Sequence, residues 1–143
     1  MAAYNKFQDF VEQLGLGKHV FGTHVFNTML TNTAPVATNT VKADLTEITA
    51  AFGYVADGAT AAVTFAEAAG TATATGTMVV WTAAGGVIGP FRYVVLLNIT
   101  QATPLKPLVA WWDYGSALTL LAGETFSVKS NNSATTGSIF TLA

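Results

Sequence analysis

The residues best suited to acid–base or metal chemistry in this sequence are two histidines, His19 and His24, which lie on either side of Gly22. Neither has an acidic residue nearby at the spacing that metal sites use. We therefore expect both to be loop or strand-edge side chains that bond to the backbone or face a neighbour. The sequence predicts no metal site and no cofactor.

Other constellations that could support catalysis are equally poor. Paired-carboxylate hydrolysis needs two acids held close together, yet the local pairs fall on polar faces or in loops. No Gly-x-Ser-x-Gly motif is present to anchor a serine nucleophile. The glycine-rich run 85–89 has no lysine after it, and Pro90 interrupts any helix that it would open. We predict that the chain is not an enzyme. The carboxylate pairs considered are Asp9/Glu12, Asp44/Glu47 and Asp57/Glu67.

The densest aromatic cluster is the run Trp111, Trp112, Asp113 and Tyr114. Consecutive residues of a strand point to opposite faces, so at most one tryptophan can join a given core. The other needs cover from a subunit interface, which we favour, from a second core layer, or from a bound sugar. Which tryptophan meets a partner stays open. We expect Asp113 to cap a turn that ends this strand.

The N-terminus carries the one clear helical pattern. Its apolar residues recur at spacings of three and four, with polar residues between them, and two glycines then end the helix. A helix this short is marginal alone, so its aromatic stripe must dock on its own sheet or on a neighbour. We interpret residues 1–22 as a helical arm and residues 23–143 as a β-domain. The apolar stripe is Phe7, Phe10, Val11 and Leu14, and the glycines are Gly15 and Gly17.

Beyond the arm, short runs rich in β-branched and aromatic residues alternate with turn residues. This pattern predicts an all-β protein, an antiparallel β-sandwich or jelly-roll-like domain with a short N-terminal helix. We also expect a brief helical turn within 41–48 that exposes Asp44 and Glu47, and a loop over 131–137. The predicted strands are Val25–Thr31, Ala61–Phe65, Thr77–Thr82, Phe91–Asn98, Leu108–Tyr114, Leu118–Leu121, Thr125–Lys129 and Ser138–Leu142.

The composition suggests how the chain meets its surroundings. Charged residues make up 10% of it, against about 25% in a typical soluble domain, while 51% are hydrophobic. Such a chain lacks the usual means of staying monomeric, so we expect partners to cover part of its surface. The six basic residues are scattered and the net charge is -2, which disfavours nucleic acid. No apolar run approaches the ~20 residues of a spanning helix, which disfavours a membrane.

Several segments together resemble small structural proteins of tailed bacteriophages and prophages. They span most of the chain, and the closest likeness is to capsid decoration, or cement, proteins. The Ala/Thr-rich stretch 59–77 is blander than that group suggests. The segments are Tyr4-Asn5-Lys6-Phe7, Leu30-Thr31-Asn32-Thr33-Ala34-Pro35, Ile88-Gly89-Pro90-Phe91-Arg92-Tyr93-Val94-Val95-Leu96, Trp111-Trp112-Asp113-Tyr114-Gly115 and Gly123-Glu124-Thr125-Phe126.

This resemblance implies a virion protein on the exterior of a phage head, made in the host cytoplasm. It implies a homo-oligomer, with a trimer favoured, that bridges subunits of the major capsid protein. A tail or neck component is the first alternative and a host-glycan-binding module is the second. The interface residues expected are Phe7, Phe10, Val11, Leu14, Trp111, Trp112 and Tyr114.

Overall fold

The computed structural model describes residues 2–77, 79–129 and 136–143. It contains ten strands, one α-helix and one 3-10 turn over the described residues. In chain order these are β1 Tyr4–Lys6, α1 Asp9–Gly15, β2 Phe26–Thr31, the 3-10 turn Lys42–Asp44, β3 Ala59–Thr60, β4 Val63–Ala68, β5 Thr71–Thr77, β6 Val79–Thr82, β7 Ile88–Asn98, β8 Leu108–Leu120, β9 Thr125–Val128 and β10 Thr136–Leu142.

The largest sheet has five strands in the order β1-β8-β7-β2-β3, and every pairing is antiparallel. Its centre is the pairing of the long strands β7 and β8. The residues of β2 are buried throughout, as expected for a strand covered on both faces. β1 adds the N-terminal segment to the outer edge of β8, where Tyr4 lies opposite Trp112 and Lys6 opposite Ala110.

Two smaller antiparallel sheets form the other layer, one ordered β10-β5-β4 and one pairing β6 with β9. β4 and β5 form a hairpin with an unbroken register from Val63–Gly76 to Ala68–Thr71. Its two turn residues, Ala69 and Gly70, have φ values of 52° and 81°. Positive φ at both positions matches the twist of the strands and gives a tight two-residue turn.

The main hydrophobic core lies between the two layers. The five-stranded sheet contributes Leu30, Val94 and Leu96, while Ala74 and Trp81 come from the two smaller sheets. Phe10 from α1 and Phe21 from the following loop close one side of this cluster. Because all three sheets and the helix share one core, the described residues pack as a two-layered β-structure.

A second, smaller core lies on the other face of the five-stranded sheet. Phe7, Met29, Val95, Leu97 and Leu108 form it, all 0–1% exposed. The segment between β2 and β3 helps to cover this face, because Leu45 packs on the cluster and the backbone of Thr40 accepts a hydrogen bond from that of Leu108 at 2.9 Å. The central strands are therefore covered on both faces by the chain itself.

The prediction of an all-β fold with a short N-terminal helix is confirmed. The helix is shorter than the apolar stripe suggested, because residues 4–6 extend along β8 and only 9–15 are helical. The predicted end at the glycines is right: α1 ends at Gly15, and Gly17 has a φ of 70°. The predicted helical turn also forms, over Lys42–Asp44.

Other details of the secondary-structure prediction are wrong. The predicted strands Leu108–Tyr114 and Leu118–Leu121 are one continuous strand, β8, so Asp113 does not cap a turn that ends a strand. β5 was missed, because its alternation of threonine with alanine and glycine lacks bulky apolar residues. Glu47 is not exposed, since it faces Lys42 and Tyr54. Most of the predicted loop over 131–137, and Met78 in a predicted strand, lie outside the described residues.

Candidate interaction surfaces

Trp111 and Trp112 point to opposite faces of β8, as the strand geometry predicted. Trp112 packs against the main core and meets the ring of Tyr4 edge-on, with ring centroids 5.8 Å apart. Trp111 packs against the second core, where its ring centroid is 4.5 Å from that of Phe7. Within the chain, a second core layer thus covers the tryptophan that the main core cannot accept. Both rings remain half-buried.

The arrangement of these rings bears on sugar binding. A carbohydrate platform needs aromatic faces that are presented together, but the two tryptophans lie on opposite sides of the sheet and each is partly covered by an N-terminal aromatic ring. Tyr114 is 54% exposed and contacts Phe126 edge-on at 5.8 Å. Tyr114 is therefore the aromatic residue of this run that is most available to a partner.

The four apolar residues of the N-terminal pattern separate into two groups. Phe7 and Phe10 are 0% and 3% exposed and belong to the chain's own two cores. Leu14 is half-buried against the main core, whereas Val11 is 53% exposed. The N-terminal segment thus docks on its own sheet. Of these four side chains, Val11 offers the most surface to another molecule.

Arg92 and Asp113 form a bidentate ion pair across β7 and β8. The Arg92 Nε donates to Asp113 Oδ1 at 2.7 Å and its Nη2 donates to Oδ2 at 2.8 Å. Asp113 Oδ1 also accepts a hydrogen bond from the backbone N–H of Gly115 at 2.7 Å. The hydrogen bonds from Arg92 and from Gly115 lower the pKa of Asp113. Gly115 has a φ of 101°, which is irregular for a strand residue, and the hydrogen bond to Asp113 stabilises this conformation in the middle of β8.

Four charged residues form a network beside the second core that the sequence did not indicate. Lys42 Nζ lies 2.7 Å from Glu47 Oε2 and 2.5 Å from Asp57 Oδ1, and Lys106 Nζ lies 2.8 Å from Asp57 Oδ2. Tyr54 links this network to the main core, to which both Tyr54 and Leu30 belong. The Tyr54 hydroxyl donates to Glu47 Oε1 at 2.7 Å and accepts from the backbone N–H of Leu30 at 3.0 Å.

Hydrogen bonding and burial within this network shift the pKa values of Asp57, Lys42 and Tyr54. Hydrogen bonds from Lys106 and then Lys42 lower the pKa of Asp57. Desolvation lowers the pKa of Lys42, but its hydrogen bonds to Asp57 and Glu47 outweigh this and raise it. Burial, together with the charge of Glu47, raises the pKa of Tyr54 well above its ordinary value. Both shifts favour the charged forms of Asp57 and Lys42, as is typical of ion pairs with a structural role.

The two histidines meet at a buried asparagine. Asn98 Nδ2 donates to the backbone oxygen of Lys18 at 3.0 Å and lies 2.9 Å from His24 Nδ1. His19 is only 3% exposed, and its Nδ1 lies 3.4 Å from the same nitrogen. Burial, and secondarily the charge of His24, lowers the pKa of His19 to about 4. No group of three or more potential metal-binding side chains occurs among the residues that the structure describes.

An apolar cavity of about 160 Å³ opens between the two layers. Val94, Leu96, Trp112, Phe126 and Ile139 are among its lining residues, so its walls are mainly hydrocarbon. A cavity of this size and polarity can accept a small apolar group.

Comparison with known proteins adds no relative: no family model, no curated protein and no solved structure matches this chain. Among the described residues, no helix has the length and apolar character needed to cross a membrane.

Proposed function

We propose that this chain is a virion structural protein, a decoration or cement protein that stabilises a phage head by bridging subunits of the major capsid protein. The observation that carries the proposal is the number of large apolar side chains left on the surface of a charge-poor domain that already buries two hydrophobic cores of its own. Those at least 39% exposed are Val11, Leu16, Val20, Val25, Val36, Phe52, Val55, Phe65, Val80, Val87, Leu105, Tyr114, Leu121 and Leu142.

A cementing role suits this surface physically. Covering apolar area contributes about 25 cal/mol per Å², and the loss of motional freedom on association offsets part of that gain. A shell under internal pressure is restrained by many copies, so each copy needs only modest contacts and no deep pocket. The sequence segments that resemble phage structural proteins support the same role.

The residues proposed to face partners follow from their exposure. Among the interface residues expected from the sequence, Val11 and Tyr114 are the most exposed, and the outer parts of Leu14, Trp111 and Trp112 add to that surface. Phe7 and Phe10 contribute indirectly, by anchoring the N-terminal segment that carries Val11. The proposed assembly is a homo-oligomer, with a trimer favoured, on the outside of the head.

Capsid binding tests the proposal directly. Purified protein is mixed with expanded shells made of the major capsid protein of the same phage, and binding is followed by co-sedimentation and by the temperature at which the shells break. We expect saturable binding and a higher breakage temperature. Tyr114→Lys should weaken binding by about tenfold, as for a residue near the centre of an interface, whereas Tyr114→Phe should not.

Three results would contradict the proposal. Wild-type protein that does not co-sediment with shells removes the decoration role. Rings or tubes of purified protein in negative-stain images favour the tail or neck component instead. Binding to a glycan array that is lost on Trp112→Ala favours the glycan-binding module.

A further inference from the structure

The outer edge of the three-stranded sheet is open along β4. β4 pairs with β5 on one side, and among the described residues no strand pairs with its other side. Every residue of β4 after Val63 is exposed. This edge therefore offers the backbone of an extended strand to solvent.

The register of the hairpin identifies the backbone groups that face outward. The N–H of Thr77 donates to the oxygen of Ala62, so these two residues form a hydrogen-bonded pair. Hydrogen-bonded and non-bonded pairs alternate along an antiparallel ladder. Thr64, Ala66 and Ala68 therefore bond to β5, and the N–H and C=O groups of Val63, Phe65 and Glu67 point away from the sheet.

This edge lacks the devices that usually prevent strands from adding to a sheet. β4 contains no lysine, no proline and no bulge. Its one charge, Glu67, lies beside the turn, where its Oε1 accepts a hydrogen bond from the N–H of Gly70 at 2.6 Å. Phe65, at the middle of the outward-facing groups, is 39% exposed. Such an edge is suited to strand addition.

We propose that β4 pairs with β4 of a second copy of this chain, antiparallel and about a two-fold axis at Phe65. The two three-stranded sheets then join into one sheet with three strands from each copy. In this register Phe65 lies opposite Phe65 of the second copy, and Val63 lies opposite Glu67. The outward backbone groups of one copy meet those of the other, as a ladder requires.

Self-complementarity favours a second copy as the occupant. The antiparallel register sets the two Glu67 carboxylates at opposite ends of the junction, whereas a parallel register would place them side by side and repel. The exposed face of Phe65 is covered by its own equivalent, and paired aromatic rings are a favourable cross-strand combination. An isologous contact of this kind needs no other partner.

This inference goes beyond the proposed function, because it assigns a contact between copies and does not depend on capsid binding. A two-fold contact can link neighbouring oligomers on a shell, whatever symmetry each oligomer has. Its test measures self-association in the absence of shells. The β4 contact can therefore be disproved while the decoration role stands, and the decoration role can be disproved while the β4 contact stands.

Charge reversal across the junction tests the register. Thr64 lies opposite Ala66 of the second copy, and both side chains are exposed. Two double variants are used, Thr64→Glu/Ala66→Glu and Thr64→Lys/Ala66→Lys. In each, position 64 of one copy and position 66 of the other carry like charges, and this repulsive pair occurs twice across the junction. In sedimentation velocity over an about hundredfold concentration range, we expect each variant to dissociate at least about tenfold more readily than wild type. An equimolar mixture of the two variants should associate again.

Two controls separate this effect from misfolding and from net charge. Both variants lose the 2.6 Å contact between the Thr64 and Thr75 hydroxyls equally, so thermal unfolding should show similar monomer stability for the two. Ala117→Glu/Thr119→Glu makes the same change of residue types at exposed positions of β8 and should leave association intact. Wild-type protein that stays monomeric overturns the proposal. So does association in both β4 variants that is as strong as in wild type, or a mixture of the two variants that associates no more strongly than either variant alone.

Discussion

Single residues account for much of the expected pH dependence, and His19 is the clearest case. Because burial lowers its pKa to about 4 from 6.5, the unfolded chain takes up a proton between these values that the folded chain does not. Stability is then fully present above about pH 6.5 and declines as the pH falls towards 4. We expect His19 to account for a loss of about 2 kcal/mol in the free energy of unfolding between pH 7 and pH 4.5.

Urea unfolding at the two pH values measures this loss. His19→Gln should reduce the difference between the two pH values, because glutamine does not titrate. His24→Gln is the matched control, since His24 is less buried and should leave most of the difference in place. If wild type and His19→Gln lose the same free energy between pH 7 and pH 4.5, burial of a neutral His19 is not the cause.

Asp57 is the residue on which the charged network depends. It has a φ of 68°, a conformation that asparagine also tolerates, so Asp57→Asn removes the charge with little change to the backbone. Its ion pairs to Lys42 and Lys106 are partly exposed, and we expect a loss of about 1 kcal/mol in the free energy of unfolding. Asp57→Ala should destabilise the chain further because of its positive φ.

Salt provides the check on this prediction. If the lost interaction is electrostatic, the difference between wild type and Asp57→Asn should shrink in about 1 M salt, where the Debye length is about 3 Å. A difference that is unchanged by salt would point to altered packing around Tyr54.

The charged network shows why side-chain sites were hard to predict. Its members come from positions 42, 47, 57 and 106, and the backbone of Asp57 and Lys106 is in a positive-φ conformation. Asp57-Gly58 is a turn signal in the sequence, but no spacing rule links that turn to Lys106. By contrast, the opposite orientations of Trp111 and Trp112 could be predicted, because they follow from strand geometry alone.

At the scale of elements, the N-terminal segment is part of the fold, and a pair of substitutions tests this. Phe7 is fully buried between the second core and Trp111, so Phe7→Ala should lower the free energy of unfolding by about 3–5 kcal/mol. Val11→Ala, at a position that is 53% exposed, should change it by less than about 0.5 kcal/mol.

Chemical denaturation of the two variants measures both values. Similar stabilities for Phe7→Ala and Val11→Ala would mean that the segment is not docked in solution. In that case it would behave as a detachable arm, free to bind a neighbour.

The elements divide into those that periodicity could identify and those that it could not. β2, β7 and β9 were predicted to within a few residues because β-branched and aromatic runs stand between clear turn signals. β1 was missed because its three residues fit the start of the helical stripe equally well, and pairing with β8 decides between the two. β8 was split because Gly115 normally signals a turn, whereas Asp113 stabilises it within a strand.

At the scale of the whole molecule, the main core joins α1 and all three sheets, so the chain should unfold in one step. We expect thermal transitions followed by far-UV circular dichroism and by tryptophan fluorescence to coincide. An early transition in tryptophan fluorescence would show that the segment over Trp111 and Trp112 separates first, as expected if residues 1–22 form an independent arm.

The total accessible surface of the chain is that of an ordinary compact monomer. The chain exposes 7023 Å², close to the about 7,000 Å² expected of a monomer of its mass. The chain therefore exposes no more surface than an ordinary monomer of its mass, although its charge content is low. The proposed contacts with other subunits would therefore use the surface of a compact domain, including the β4 edge and the region around Tyr114.

The buried amide of Asn98 has a further consequence for a chain without cysteine. Its Nδ2 contacts the backbone oxygen of Lys18 and Nδ1 of His24, and its Oδ1 accepts hydrogen bonds from the backbone N–H groups of Thr100 and Gln101. One side chain thus connects segments that lie about 75 residues apart in the sequence. In many small domains a disulfide performs this tethering, and its strength then depends on the redox environment. Here no cysteine is present to respond to the redox environment, so we expect the same free energy of unfolding with and without a thiol reductant.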